Sequence, residues 1–267
     1  MESVEGRVAV ITGAGSGIGR ATALSLARRG ARVTVSDINL ERAHAVAEEV
    51  DAAGSRGLAV HCDVTDSGEV DALRAVTLDA FGRVDIVMSN VGILVKGLPL
   101  DIPLEAWEQV LDVNVLGMVR VINAFLPSLL EQGSGHLVTT GSTAGLFPYA
   151  YDRLPYAAAK GAVIAMTEAL ALYLHPLGIG VSCVCPAGVS TNIAEQTRRY
   201  GPPTPTRARQ IPLVTAEEMG DIVVEGILAG ELLIMSHPVA RELLREHDAD
   251  RRAFLEHQME VQRESTS

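Results

Sequence analysis

The 267-residue sequence is short of positive charge and of long apolar runs. Its 22 Lys and Arg stand against 33 Asp and Glu, a formal net charge of −11. This balance argues against a general nucleic-acid binder, because such proteins need a basic face. No charge-free apolar run is long enough to span a bilayer, so we expect no membrane partner.

Cysteine is also scarce, and the three present, Cys62, Cys183 and Cys185, cannot all pair. No signal peptide is recognisable at residues 1–5, so a reducing cytoplasm is the expected location. Cys183 and Cys185 would share one face of a strand, without further metal-ligating side chains evident beside them. We therefore expect buried, apolar thiols and no bound metal.

A glycine-rich loop joins the first predicted strand, residues 7–12, to the first predicted helix, residues 18–29. Its glycines follow the pattern G-x-x-x-G-x-G at Gly13, Gly17 and Gly19. A strand, a glycine loop and a helix in this order turn backbone N–H groups and a helix N-terminus toward a pyrophosphate. The loop predicts a dinucleotide site, and a simple tight turn is the alternative.

Polar residues follow the next three predicted strands, 32–36, 58–62 and 84–89. Asp37, at the tip of the second strand, can accept hydrogen bonds from an adenosine ribose and would repel a 2′-phosphate. It therefore favours NAD, with NADP as the alternative. Asp63 is positioned to hold the adenine amino group, and Asn90 and Gly92 to line the cofactor. Each of these residues is also an ordinary loop former.

The motif Tyr156-Ala-Ala-Ala-Lys160 opens a predicted helix that runs to Leu174, with Pro155 at its first position. Residues four apart share one face of a helix, so the ammonium would lie beside the phenol. A neighbouring positive charge lowers a tyrosine pKa from about 10 and makes the side chain a usable acid or base near neutral pH. By itself the spacing also fits an edge tyrosine beside a solvated lysine.

Two more polar residues have positions that suggest a role in the site. Asn114 falls on the apolar stripe of a predicted helix, residues 104–131. It is either a satisfied core amide or a disturbance of the helix that organises a polar site. Ser142 follows a fifth predicted strand, residues 135–140, at the side of the sheet where the glycine loop also lies.

The last third begins with a sixth predicted strand, residues 178–185, after which the periodicity is lost between residues 192 and 212. We interpret residues 190–213 as a lid over a substrate pocket. Its arginines are expected to be solvated: Arg198, Arg199, Arg207 and Arg209. Thr215 and Glu218 have the capping-box spacing at the start of a helix that ends at Ala229, and a short last strand, residues 232–235, should follow. Residues 237–267 are predicted as a helical tail, and the chain as one domain.

The order of these motifs resembles that of the short-chain dehydrogenase/reductase family, in its compact single-domain branch, over roughly residues 5–235. The motifs are Gly13-x3-Gly17-x-Gly19, Asp63, Asn90-x-Gly92, Asn114, Ser142, Tyr156-x3-Lys160 and Pro186-x-Gly188. The resemblance implies an α/β fold of the Rossmann type, a doubly wound sheet of seven parallel strands with helices on both faces. Ala187 between Pro186 and Gly188, and one extra residue between Ser142 and Tyr156, depart from the commonest pattern.

The resemblance also implies a role for each residue that matches. Tyr156 would be the general acid/base, Lys160 would lower its pKa and bind the nicotinamide ribose, and Ser142 would orient the substrate oxygen. Asn114 would hold a water that links Lys160 to solvent. The expected cofactor-binding residues are Gly13, Ser16, Gly17, Ile18, Gly19, Asp37, Asp63, Val64, Asn90, Gly92, Tyr156, Lys160, Pro186, Gly188, Val189 and Thr191.

These features predict an NAD-dependent oxidoreductase that interconverts a secondary alcohol and a ketone. Apolar side chains suggest a hydrophobic substrate: Leu94, Leu146, Phe147, Tyr149, Ile193, Ile211 and Leu213. The resemblance implies a homotetramer, or a homodimer, in which the helices that contain Leu104 and Tyr156 pair across an interface. The alternatives are an idle NAD(P)-binding regulator, an NADP-dependent carbonyl reductase, and a sugar-nucleotide epimerase or dehydratase, which normally has a larger C-terminal region.

Overall fold

The computed structural model describes residues 1–191, 197–204 and 211–263, and its centre is a sheet of seven parallel strands. The strands of this sheet are β1 (Val8–Thr12), β2 (Arg32–Asp37), β3 (Gly57–His61), β4 (Ile86–Ser89), β6 (Gly135–Thr140), β7 (Ile179–Cys185) and β11 (Leu233–Met235). Shorter strands outside it are β5 (Leu94–Lys96), β8 (Val189–Ser190), β9 (Thr197–Arg199) and β10 (Val214–Thr215). The helices are α1 (Gly17–Arg28), α2 (Leu40–Ala52), α3 (Ser67–Phe81), α4 (Leu104–Leu111), α5 (Gly117–Gln132), α6 (Thr143–Leu146), α7 (Leu154–Leu174), α8 (Ala216–Ala229), α9 (Pro238–Ala249) and α10 (Arg251–Arg263).

The order of strands across the sheet is β3, β2, β1, β4, β6, β7 and β11. From β1 the chain proceeds outward to β2 and β3 and then returns to the other side of β1 as β4. The direction of the strand order therefore reverses between β1 and β4. In open α/β sheets the crevice outside the carboxyl ends of the strands at such a point is where ligands bind.

Both faces of the sheet are covered by helices, which explains why the strands are apolar along their whole length. The residues of β1 are all buried. One face packs against α1, α2 and α8 through Leu26, Val46 and Val223. The other face packs against α3, α5 and α7 through residues such as Leu73 and Phe125. The predicted doubly wound α/β fold is confirmed.

Most predicted elements lie where they were expected, with bounds that differ by two residues or fewer. Helix α7 begins at Leu154, so Pro155 occupies the second helical position and not the first. The capping box of Thr215 and Glu218 is present at the start of α8. The predicted single helix of residues 104–131 is wrong, because a π-helical segment, Asp112–Leu116, separates α4 from α5.

The predicted lid contains one short strand, β9, that the loss of periodicity concealed, and this strand pairs with β5. Strands β8 and β10, at the two boundaries of the lid, pair with each other. Arg198 and Arg199 are exposed, as expected. Ile193, Arg207 and Arg209 lie outside the described residues, and so does the end of the predicted tail, residues 264–267. The described part of that tail forms α9 and α10.

Two helical stretches of the described chain, residues 104–132 and 154–177, are long and apolar enough to cross a membrane by length and composition. Half of the apolar window of the first and a third of that of the second are buried inside the protein. Their buried sides pack on the central sheet, as core helices do. The remaining apolar surface of α7 includes Leu172, which is 82% exposed, and Tyr173.

Candidate active site

A cleft of about 530 Å³ opens at the carboxyl ends of the strands, beyond β1 and β4, between which the strand order reverses. Its lining includes these predicted cofactor residues: Gly13, Ser16, Gly17, Ile18, Asp37, Asp63, Val64, Asn90, Gly92, Tyr156, Lys160, Pro186 and Thr191. It also includes residues that were not predicted: Ile38, Cys62, Thr65, Val91, Ile93, Gln109, Asp112, Val113, Thr140 and Gly141. Most of the second group are sequence neighbours of the first, so strand ends and the residues beside them define the wall.

Three predicted cofactor residues, Gly19, Gly188 and Val189, are not part of this wall. Gly19 packs beneath the glycine loop, where an added Cβ would lie 2.5 Å from the carbonyl oxygen of Gly13. Gly188 and Val189 pack toward the segment that leads into α8, and Val189 pairs with Val214. Contact of these three residues with a cofactor stays a prediction.

The glycine loop is shaped by its backbone and by Asn90. Gly13 and Gly17 have φ of +62° and +54°, a region that side chains with a Cβ rarely adopt. The Asn90 side chain donates hydrogen bonds to the carbonyl oxygens of Thr12 (3.3 Å) and Gly13 (3.2 Å). Asn90 therefore ties the end of β4 to the loop after β1, and it holds the crevice in shape as well as lining it.

Asp37 lies at one end of the cleft with both carboxylate oxygens oriented by backbone donors. The N–H of Gly15 donates to Oδ2 at 3.0 Å, and the N–H of Asn39 donates to Oδ1 at 2.9 Å. An added Cβ at Gly15 would lie 2.8 Å from Oδ2, so the absence of a side chain there permits the close approach. A negative charge held by two backbone donors therefore borders the glycine loop.

Tyr156 and Lys160 line the other end of the cleft, and Ser142, which is buried, lies behind this wall. Ser142 caps the short helix α6, accepts a hydrogen bond from the N–H of Ala144 at 3.1 Å, and has its hydroxyl close enough to Tyr156 to act on the tyrosine pKa. Tyr156 is half-buried, and Lys160 Nζ lies 5.7 Å from the centroid of its ring. Lys160 is 2% exposed and donates a hydrogen bond to the Thr140 carbonyl oxygen at 2.6 Å.

The net pKa shift of Tyr156 is opposite to the one expected from its lysine neighbour. Burial raises the pKa of Tyr156 to about 12, and the nearby Ser142 hydroxyl opposes this shift only in part. Burial also lowers the pKa of Lys160 to about 8. At neutral pH the phenol is therefore protonated and the lysine is still mostly charged, so Tyr156 is held in its proton-donating form.

Asn114 is nearly fully buried in the π-helical segment, and its amide is used twice by the backbone of Ile93. The Ile93 N–H donates to Oδ1 at 2.8 Å, and Nδ2 donates to the Ile93 carbonyl oxygen at 3.0 Å. Both alternatives drawn from the sequence are therefore present: the amide is hydrogen-bonded, and the helix is disturbed around it. Single π-helical turns inside α-helices are frequent at functional sites. A water-holding role for Asn114 stays a prediction.

The loop between Ser142 and Tyr156 packs against the C-terminal tail, a contact that was not predicted. Phe147 lies edge-on to Phe254 of α10 with centroids 5.8 Å apart, and His247 of α9 packs on Phe254 at 5.4 Å. Gln262 also donates a hydrogen bond to the Tyr149 carbonyl oxygen at 3.1 Å. Since Leu94 and Phe147 are themselves buried, they are packing residues and give no support to a hydrophobic substrate.

Cys183 and Cys185 are buried on one face of β7 with their sulfur atoms 3.7 Å apart, as expected from their spacing, and Cys62 is also buried with a free thiol. Cys183 and Cys185 lie beneath Gly141, where an added Cβ would come within 2.9 Å of the Cys183 sulfur. Among the described residues, no group of three His, Cys, Asp or Glu side chains is arranged to hold a metal ion.

The model of the short chain dehydrogenase family matches residues 7–200, and the chain belongs to this family of oxidoreductases. A similar curated protein is 1-deoxy-11-beta-hydroxypentalenate dehydrogenase of Streptomyces exfoliatus, 36% identical over 247 residues, which are 91% of this chain and 88% of the relative. Another is 3-oxoacyl-[acyl-carrier-protein] reductase of Synechocystis, 37% identical over 196 residues, 73% of this chain and 79% of the relative.

Among solved structures, a short chain dehydrogenase/reductase from Burkholderia phymatum in complex with NAD is similar over nearly the whole chain. The TM-score is 0.85 at 32% sequence identity, and the match covers 95% of this chain and 96% of the other. The family and the recognised fold therefore agree with the motif order in the sequence. The substrates of these relatives are hydroxy and keto compounds of several kinds, so the chain's own substrate has to be argued from its site.

Proposed function

We propose that the protein interconverts a secondary alcohol and a ketone with NAD(H), and that Tyr156 is the general acid/base. The observation that carries this proposal is the placement of Tyr156 in the cleft wall beside Lys160, with the Ser142 hydroxyl close enough to act on the tyrosine pKa. Two neighbouring hydroxyls can hold a single substrate oxygen between them, and one of them can exchange a proton with it.

The residues of the cleft divide the work in this proposal. The protonated Tyr156 gives its proton to the ketone oxygen in reduction, and its phenolate takes a proton from the alcohol in oxidation. Ser142 orients the same oxygen, and Lys160 supplies a fixed positive charge beside the phenol. A bound nicotinamide supplies or accepts the hydride. The glycine loop and Asp37 would hold its dinucleotide, since close backbone approach and an oriented carboxylate both fit a ribose and a pyrophosphate.

NAD is preferred over NADP in this proposal because of Asp37. Its carboxylate is fixed by two backbone N–H groups and cannot turn away from the cleft without losing both hydrogen bonds. The Burkholderia relative was solved with NAD. An idle regulator remains the competing hypothesis, and turnover that depends on Tyr156 distinguishes the two.

We also infer that two copies of the chain associate through α7 and the segment that contains α4 and α5, and that the protein is cytoplasmic. Leu104, Leu116 and Leu172 are large apolar side chains with 67%, 48% and 82% exposure. A second copy would cover them, as the expected homodimer or homotetramer requires. Light scattering on the purified protein tests this; a monomer at micromolar concentration would contradict it.

The experiment that tests the activity uses purified protein with NAD or NADP and a panel of secondary alcohols, followed by the absorbance of the reduced cofactor. We expect turnover with NAD, and a slower reaction with NADP. Faster turnover with NADP would contradict the role of Asp37. No turnover with any alcohol, or with any ketone in the reverse direction, would contradict the assigned reaction.

A further inference from the structure

Lysine is nearly absent from this chain: of its 22 Lys and Arg, only Lys96 and Lys160 are lysines. Lys160 lies beside the catalytic tyrosine. Lys96 ends β5, three residues beyond Ile93, which lines the cleft, and is not itself part of the cleft wall. It is half-buried, although the long lysine side chain is normally solvated. Lys160 therefore lines the proposed reaction site, and Lys96 lies on the strand that leads away from it.

The groups around Lys96 leave an excess of positive charge. Asp152 is the nearby carboxylate that favours the Lys96 ammonium, while Arg153 and Arg199 oppose it. Asp152 is almost fully buried, and both of its oxygens are engaged: Arg153 Nε donates to Oδ1 at 2.8 Å, and Thr204 donates to Oδ2 at 2.9 Å. One carboxylate thus faces three cations, in a chain whose overall charge is negative.

This cluster is held in place by the backbone. The Gly97 N–H donates to the Asp152 carbonyl oxygen at 2.8 Å, which joins β5 to the loop before α7. In the paired strands β5 and β9, Lys96 lies opposite Arg199. Burial and the two neighbouring cations lower the pKa of Lys96. Lys96 and Arg153 are half-buried, while Arg199 is exposed. Like charges close together are unfavourable, more so where they are partly buried, and a bound anion would relieve that repulsion.

The cluster also borders the proposed reaction site. Arg153 precedes Tyr156 by three residues, and its charge is close enough to act on the tyrosine pKa. Its guanidinium carbon lies 5.3 Å from the centroid of the Tyr149 ring, in the loop that follows Ser142. A substrate whose reacting oxygen is at Ser142 and Tyr156 can therefore extend toward these cations.

We propose that Lys96, Arg153 and Arg199 form an anion-binding subsite, and that the natural substrate carries a negatively charged group such as a carboxylate. This inference rests on the proposed function, because it concerns the same substrate. It changes the expected substrate from a purely hydrophobic alcohol to a hydroxy acid or keto acid, or to an alcohol with another anionic group. Lys96 is its central residue, because among the described residues it makes no ion pair like that of Arg153 with Asp152.

The direct test is calorimetric binding of hexanoate, hexyl phosphate and hexanamide to the protein, with and without NADH. We expect at least one of the anions to bind at least tenfold more tightly than the neutral amide. In Lys96→Gln the ratio of anion affinity to amide affinity should fall about tenfold or more, while the affinity for hexanamide stays unchanged. Arg28→Gln, an equal loss of charge in the last turn of α1, should leave every affinity unchanged. Preference for hexanoate over hexyl phosphate would assign the group as a carboxylate.

Because only two lysines are present, a second readout follows Lys96 directly. Reductive methylation with ¹³C-formaldehyde gives one NMR signal for each modified amine, and Lys96→Arg identifies the one from Lys96. Hexanoate should raise the Lys96 pKa, since a nearby anion favours the charged form, and hexanamide should not. Absence of anion binding, equal affinity for hexanoate and hexanamide, or an unshifted Lys96 signal would overturn the subsite.

These results can be separated from those on the proposed function. Oxidation of neutral alcohols that depends on Tyr156, without any preference for anions, would contradict the subsite and leave the dehydrogenase assignment standing. Anion binding through Lys96 in a protein that oxidises no alcohol would support the subsite and contradict the assigned reaction. As a kinetic complement, Lys96→Gln should lower kcat/KM for 3-hydroxyhexanoate about tenfold and leave that for its methyl ester unchanged.

Discussion

The two ends of the cleft are built from different kinds of structure. The end that would hold the dinucleotide is made from the residues that follow β1, β2, β3 and β4, with backbone N–H groups and the carboxylates of Asp37 and Asp63. The end that would receive the substrate is lined by Tyr156 and Lys160. Beside it along the chain are β5, which pairs with β9, and the loop after Ser142, which packs on the C-terminal tail. The position of the dinucleotide end follows from the regular sheet, whereas the substrate end depends on side chains particular to this chain. Changes at the two ends should therefore affect different kinetic quantities.

Apart from loss of the tyrosine hydroxyl itself, the largest effect is expected at the substrate end, from Ser142→Ala. Loss of the hydroxyl removes the group that would orient the substrate oxygen and that acts on the Tyr156 pKa. We expect kcat to fall by roughly a hundredfold to a thousandfold, while the Kd for NADH stays within about twofold of wild type. Steady-state kinetics and NADH fluorescence measure the two quantities. Ser142→Thr, which retains a hydroxyl, is the control. If Ser142→Ala weakened NADH binding as much as it lowered kcat, the two ends of the cleft would not act separately.

Lys160, which contacts both ends, should make stability depend on pH. Its folded-state pKa of about 8 is below its ordinary 10.5. Between these values the unfolded state binds more protons, so the free energy of unfolding should rise with pH, by up to about 3 kcal/mol from this residue. Below pH 8 its contribution is constant and destabilising. Urea unfolding at several pH values, compared with Lys160→Met, isolates this contribution; identical slopes for the two proteins would contradict it.

At the dinucleotide end, Asp37→Asn should alter cofactor choice and little else. Removal of the negative charge leaves an oxygen that can still accept from the Gly15 N–H. We expect the ratio of kcat/KM for NADP to that for NAD to rise about tenfold. This is the order of effect expected when the repulsion between one carboxylate and the 2′-phosphate is lost. Glu41→Gln removes one negative charge from the first turn of α2 and should leave the ratio within about twofold. An unchanged ratio in Asp37→Asn would show that another residue selects the cofactor.

The smallest effect is expected in the tail, from Phe254→Leu. The substitution keeps apolar volume but removes the edge-on contacts with Phe147 and His247, each worth about 0.5–1.5 kcal/mol. We expect a several-fold rise in KM for substrate and no change in the Kd for NADH. Leu255→Ala, at an exposed position of the same helix, is the control. A change in NADH affinity, or an unchanged KM for substrate, would contradict the idea that the tail supports the substrate end of the cleft.

The sequence predicted the dinucleotide end well because the rules that place it are local. A strand that ends in a glycine loop, and an acid or amide at the tips of the next strands, determine which side chains reach the crevice once the sheet is parallel. Gly19, Gly188 and Val189 are the exceptions. Gly19 packs beneath the glycine loop. Gly188 and Val189 follow a strand end too, but the chain turns there so that Val189 pairs with Val214, and it leaves the cleft wall.

The substrate end was harder to predict because its contacts join residues far apart in the chain. Nothing in the sequence around Phe254 indicates that it packs on Phe147. Lys96 follows a short apolar run and looks like an ordinary strand-end lysine until Asp152 and Arg153 are placed beside it. The π-helical segment had one sequence signal, an asparagine on an apolar stripe. The raised pKa of Tyr156 had none, because it results from burial that only the folded chain determines.

The most direct test of the assignment is Tyr156→Phe, measured for turnover and for NADH binding in the same preparation. The substitution removes only the phenolic oxygen from a half-buried ring, so the fold and the cofactor site should be retained. We predict that kcat falls at least a thousandfold for alcohol oxidation and for ketone reduction, near the upper range for loss of a general acid/base, with NADH affinity unchanged. Turnover within tenfold of wild type would contradict the assignment of Tyr156 as the residue that moves the proton.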